Sequence, residues 1–177
     1  MSRVEMANTE YPITSTFSFP ILSANMPDGI PIGSLSIILD AEAAAAFDEL
    51  TRSNRDSLLV RQIKNAWPNS FRRSRFIPAV EYIQANRIRT DLIAAMHKMM
   101  SEFDVIVTPS YGGSQLLATN LTGHPVVVVP NGFNERGGPV SISFLGNLFE
   151  EATILAVAKA YQEATEFDEM HPEMFLK

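Results

Sequence analysis

The chain has 177 residues, 46% of them hydrophobic, no cysteine and a formal net charge of −6. That length suits one domain or one large piece of one, and the apolar share suits a packed core. The acidic balance argues against nucleic acid as a main partner, and the absent cysteines exclude disulfides, thiolate metal sites and a cysteine nucleophile. A cysteine-free composition fits a cytoplasmic protein. No apolar run is long enough to span a bilayer, and the first residues lack an apolar signal core, so no membrane partner is expected.

Residues 1–15 are polar and are expected to be disordered. Thr16 to Ile21 alternates, with Phe17, Phe19 and Ile21 on one side, and reads as a strand. Pro27, Gly29, Pro31 and Gly33 mark a loop. Ser34 to Leu39 reads as a second strand, and Asp40 as the cap of a helix carrying Ala43, Phe47 and Leu50. A further helix is expected from Asp56 to about Trp67, ended by Pro68. Phe71 to Pro78 reads as a basic loop in which Arg72, Arg73 and Arg75 pair with local carboxylates.

The longest helix is expected from Ala79 to Ser101, with Ile88, Leu92, Ala95 and Met99 on one face. Val105 to Val107 is a short strand entering Thr108-Pro109, where proline ends the ladder. Thr108 to Thr119 reads as a loop. Val126 to Val129 is a continuous β-branched run that suits a central strand buried on both faces. Val140, Ile142 and Phe144 alternate with serines in another strand, and Asn131-Gly132 with Gly137-Gly138 suggests a hairpin between the two. Asn147 reads as the cap of a last helix whose buried face is Ile154, Val157, Ala158 and Tyr161. Residues 166–177 form a polar tail. The pattern as a whole is an α/β fold, a mixed β-sheet covered by helices.

Several pieces in order carry a family resemblance. Pro78 and Glu81-Tyr82 are followed by Ala85 and Arg89; Asp104 precedes three β-branched residues and Thr108-Pro109. Asn120-Leu121, Gly123 and Pro125 then lead to Val129-Pro130 and Gly132, and Gly138-Pro139, Gly146 and Glu151-Ala152 complete the series. This order resembles the C-terminal third of the amidase-signature serine amidases, well over about residues 80 to 165 and loosely over 16 to 79. The resemblance implies a hydrolase acting on carboxamide C–N bonds, with a small amide as substrate and no cofactor. It also implies that Tyr111, Ser114 and Gln115 line part of the substrate pocket.

In that family the catalytic Lys, cis-Ser and Ser nucleophile lie N-terminal to this region. Gly112-Gly113-Ser114 begins like the family's glycine–serine run, but Gln115-Leu116-Leu117 follows and leaves it incomplete. Lys64, Lys98 and Lys159 fall in expected helices, and Lys177 ends the chain; none precedes a serine-rich glycine loop. His97, His124 and His171 are far apart in sequence and lack metal-ligand spacing. No G-x-S-x-G elbow and no phosphate-binding glycine motif is present.

The expectation is therefore no catalytic residue and no metal ligand in the chain, and no amidase activity from it alone. A missing N-terminal amidase region, or a partner chain, would complete the site. The loop also lacks the acidic residue found in tRNA-dependent amidotransferases, which points to a general amidase. The alternative is a non-catalytic truncated relative that self-associates as a homo-oligomer or binds a partner.

Overall fold

The computed structural model describes residues 4–6, 21–22, 24–111, 113–172 and 175, with only the backbone of 4–6 and 21–22. The expected strand from Thr16 lies outside the described residues except at its last position. The chain divides into two compact units, residues 1–28 with 93–177, and residues 29–92.

The larger unit holds a five-stranded mixed sheet in the order β2-β1-β3-β5-β4. Its strands are β1 (Val4–Met6), β2 (Ile21–Leu22), β3 (Val105–Pro109), β4 (Val126–Phe133) and β5 (Pro139–Gly146). β1 runs parallel to β2 and to β3, whereas β5 is antiparallel to β3 and to β4. The expected hairpin is present. Asn134 turns it, its side-chain oxygen accepting from the Arg136 and Gly138 amides at 2.9 and 3.0 Å. Gly132, at φ +79°, sits where the β4–β5 register shifts.

The valine run does not form a central strand. β5 lies between β3 and β4, so β4 is the terminal strand of the described sheet. Val129 is buried, Val127 packs against the core, and Val128 is more than half exposed. A β-branched run reports fitness for extended backbone as well as burial, and here the first property explains it.

The last helix of this unit, Glu151–Thr165, covers the sheet. Ile154, Ala158 and Tyr161 are buried with Val105, Val107, Ile142 and Phe144, and Val157 packs against them, as its spacing predicts. Asn147 does not cap this helix. Its side-chain amide donates to the Phe103 carbonyl at 3.0 Å, and the helix starts four residues later.

The smaller unit is helical, and several expectations fail in it. Ile32–Leu35 is a 3-10 turn running into a helix over Ser36–Ala46, where a strand was expected. Ile32, Leu35 and Ile38 are buried at a spacing of three, and the alanine run that follows has high helix propensity. Asp40 therefore lies inside the helix. Only a 3-10 turn, Arg55–Leu58, forms in the segment expected to be helical up to Trp67, and Lys64 lies in an irregular stretch. The next helix is Trp67–Ser74, with Pro68 in its first turn. Proline there loses no hydrogen bond and has the right φ, so it starts this helix instead of ending one. Arg72 and Arg73 thus ride on this helix and Arg75 is its C-cap, where a loop was expected. Arg72 pairs with buried Asp56 at 2.5 Å, and Arg75 pairs with Asp48, as expected of local carboxylates. Ala79–Met100 is the longest helix, close to its expected span, and contributes residues to both units.

Each unit offers a test of its packing. A Cβ at Gly146 would lie 2.5 Å from Ile154 Cγ2, so Gly146→Ala should destabilise by about 1–3 kcal/mol through overpacking. Ile154→Ala should recover part of that loss in the double variant, which thermal denaturation of the four-member cycle would show. Arg72→Met leaves the Asp56 carboxylate buried without its cation. The loss should be about 2 kcal/mol in urea unfolding, below the ~3–5 kcal/mol of a fully buried pair because Arg72 is 44% exposed.

Candidate functional site

The segment after β3 gathers the candidate residues. Ser110 follows Pro109 and lies beside β5, where Ser141 and Ser143 alternate with core residues on one face. Their hydroxyls both approach Ser110 Oγ, Ser141 at 2.8 Å and Ser143 at 3.0 Å. With both donating, Ser110 Oγ accepts twice and its own proton is free to be given elsewhere. Ser143 is buried and the other two are half-buried. No lysine or histidine is hydrogen-bonded to the three hydroxyls among the described residues. Among the described residues the cluster therefore has donors and acceptors but no lysine or histidine bonded to it that would take a serine proton.

Sequence reasoning missed this cluster. The available signal was the alternation of serines with Ile142 and Phe144, but only the β3–β5 register brings Ser110 to it.

The expected loop from Thr108 to Thr119 is only partly a loop. A helix covers Gln115–Thr122, with Ser114 at its N-cap position making no side-chain capping bond. Thr119 Oγ donates back to the Gln115 and Leu116 carbonyls, both at 3.2 Å, and Thr122 Oγ lies 2.9 Å from the Ala118 carbonyl. Buried Ala118 and Leu121 anchor the turn, which offsets the low helix propensity of threonine and asparagine. Gly123, at φ +81°, ends the helix in the left-handed conformation that glycine adopts without a Cβ penalty.

The three expected pocket residues thus have different environments. Tyr111 is 90% exposed, Ser114 is half-buried, and Gln115 is 5% exposed with its side-chain oxygen unpartnered. A buried amide oxygen without a donor is costly. Gln115 is the one of the three whose chemistry calls for a ligand donor or a water.

The fold also relates two histidines that the sequence separates. His124 is buried, its Nδ1 2.7 Å from Thr122 Oγ. Burial lowers its pKa, and the electrostatic influence of His97 lowers it further. His171 is exposed in the tail. Among the described residues no group of three or more His, Asp or Glu could hold a metal ion. Burial also raises the pKa of Tyr161, whose hydroxyl donates to Asn131 Oδ1.

Comparison with known proteins shows what the chain is similar to. No family model matches the chain. The A subunit of glutamyl-tRNA(Gln) amidotransferase from Brevibacillus brevis is 26% identical over 97% of this chain and 39% of its own length. The corresponding subunits of Oceanobacillus iheyensis and Lysinibacillus sphaericus are 30% and 33% identical over 52% and 53% of the chain, and each is matched over 23% of its length.

The fold recurs in solved structures. Kluyveromyces lactis allophanate hydrolase matches 99% of this chain and 35% of its own, at TM-score 0.73 and 13% identity. Native peptide amidase from Stenotrophomonas maltophilia matches 99% and 45%, at TM-score 0.67 and 17% identity. A bacterial aryl acylamidase of the amidase-signature family matches 95% and 44%, at TM-score 0.68 and 14% identity. The chain's homologues are thus amidotransferase A subunits, and its fold is that of part of the amidase-signature enzymes. It spans well under half the length of the curated relatives it matches.

The lowered pKa of His124 has a consequence for stability. The unfolded chain takes up its proton near the ordinary value of 6.5, whereas the folded chain resists it to lower pH. This contribution is fully present above pH 6.5 and is lost as pH falls below it. The melting temperature should therefore drop on going from about pH 7.5 to about pH 5.5, and His124→Gln should flatten that part of the profile. An unchanged profile in the variant would assign the pH dependence to other groups.

Proposed function

We propose that this chain is the C-terminal portion of an amidase-like hydrolase acting on carboxamide C–N bonds. In this reading it supplies sheet strands, their helical cover and one wall of the amide pocket. The observation that carries the proposal is the match over 97% of the chain to only 39% of an amidotransferase A subunit. That ratio suits a structural portion of a larger catalytic fold. The wall is assigned to Tyr111, Ser114 and Gln115, which follow β3 directly. Tyr111 offers an exposed ring, Ser114 a hydroxyl with no capping duty, and Gln115 an amide oxygen with no donor of its own. An amide substrate carries the N–H that such an oxygen lacks.

The Ser–cis-Ser–Lys set lies outside these residues, in an N-terminal region or a partner chain that completes the site. The cluster of Ser110, Ser141 and Ser143 supports this division of labour, because it has no lysine within hydrogen-bonding reach among the described residues. The setting is cytoplasmic, in keeping with the cysteine-free composition.

The 177-residue chain alone should release no ammonia above background from a panel of aliphatic and aromatic carboxamides, measured by a coupled dehydrogenase assay. Ser114→Ala should leave that background unchanged. Ammonia release from the wild-type chain that Ser114→Ala abolishes would overturn the assignment and make Ser114 a nucleophile.

A further inference from the structure

The smaller unit carries a surface that its fold leaves unused. Segment 55–67 is mostly irregular, and it exposes its large apolar side chains instead of burying them. Leu58 is 78% exposed, Val60 is fully exposed, and Ile63 and Trp67 are each about half exposed. Connecting segments are ordinarily polar at such positions. Large exposed apolar side chains gathered in one segment mark an interaction surface.

The charge around them has one dominant sign. Arg55, Arg61 and Lys64 are exposed, and none of the three makes an ion pair among the described residues. The acid within the segment, Asp56, is buried against Arg72. Asp40 is the one carboxylate on the shallow cavity, about 450 Å³, that Val60, Arg61 and Trp67 help to line. Residues 29–92 hold nine of the 14 Lys and Arg but seven of the 20 Asp and Glu, so this unit is positive in a chain of net charge −6. Composition averages over both units and hides that difference.

We propose that segment 55–67 is a peripheral docking site for an anionic phospholipid surface. Leu58 projects from the surface, and Val60, although fully exposed, stands at the edge of the shallow cavity. A projecting apolar side chain needs a medium that conforms to it, which the headgroup–acyl boundary does. Trp67 places an amphipathic ring at the level where indole is favoured, with its body in acyl chain and its N–H in water. The unpaired basic groups alternate with the apolar ones in sequence and meet the lipid phosphates and carboxylates. Screening over about 8 Å at physiological ionic strength lets a local basic surface act within an acidic chain. The attachment is to the surface alone, because no described helix is long and apolar enough to cross a bilayer.

Trp67 is the only tryptophan, so intrinsic fluorescence reports from inside the segment. The experiment titrates the full 177-residue chain with vesicles of phosphatidylcholine alone and of phosphatidylcholine containing phosphatidylserine. A blue shift and co-sedimentation with the phosphatidylserine vesicles, weakened by high salt and absent without phosphatidylserine, is the expected result. Val60→Asp and the pair Arg61→Glu with Lys64→Glu should each weaken binding at least about ten-fold, with the melting temperature unchanged because all three side chains are exposed. No shift on phosphatidylserine vesicles overturns the proposal. So does a shift without lipid that grows with protein concentration, which would identify a second copy as the occupant. Equal binding of the charge-reversed variant would also overturn it.

Discussion

Strand β5 is the constraint on which the larger unit depends. It lies between β3 and β4, antiparallel to both, so an error in its register would misplace both neighbours at once. Gly146, paired with Val105 in the ladder, lets the covering helix come in close, with Ile154 packed where a Cβ would otherwise stand. The rest follows from that fixed strand. Phe144 meets Tyr161 edge-on with ring centroids 5.6 Å apart. Ser141 and Ser143, two residues apart and so on one face, are both delivered to Ser110.

The elements that were legible in the sequence are those where one local signal dominates. The longest helix has a sustained apolar stripe, the β4–β5 hairpin has paired turn signals, and the last helix has a clean buried face at Ile154, Ala158 and Tyr161. The failures came where two signals compete. Ile37, Ile38 and Leu39 read as strand by type, yet Ile32, Leu35 and Ile38 are spaced for a helical turn and an alanine run follows. Pro68 can end one helix or begin the next, and periodicity alone does not decide which. The helix over Gln115–Thr122 was hidden by threonine and asparagine. Its stability comes from back-bonds to its own carbonyls and from burial of Ala118 and Leu121, neither of which propensity records.

The candidate site was legible only as a neighbourhood. Tyr111, Ser114 and Gln115 are near one another in sequence, but the fold exposes the first, leaves the second at a helix start and buries the third. Burial and an unpartnered oxygen distinguish Gln115, and no sequence pattern announces either property. The same holds for His124. In sequence it is one of three scattered histidines, whereas in the fold it is buried, bonded to Thr122 and under the electrostatic influence of His97.

Similarity to the solved amidases runs over nearly the whole chain at 13 to 17% identity. At that level the shared property is the arrangement of strands and covering helices, and an arrangement does not carry a reaction with it. Chemistry has to be found in the residues, and here they divide clearly. The described hydroxyls can orient and donate, and Gln115 can accept, but no described lysine is in hydrogen-bonding reach of Ser110, Ser141 or Ser143. Acyl transfer at a carboxamide needs a nucleophile whose proton has somewhere to go and donors facing the developing oxyanion. In the proposed reading these residues hold the amide in place, the half of catalysis that positioning supplies. In that reading the proton acceptor comes from the region or partner chain that completes the site.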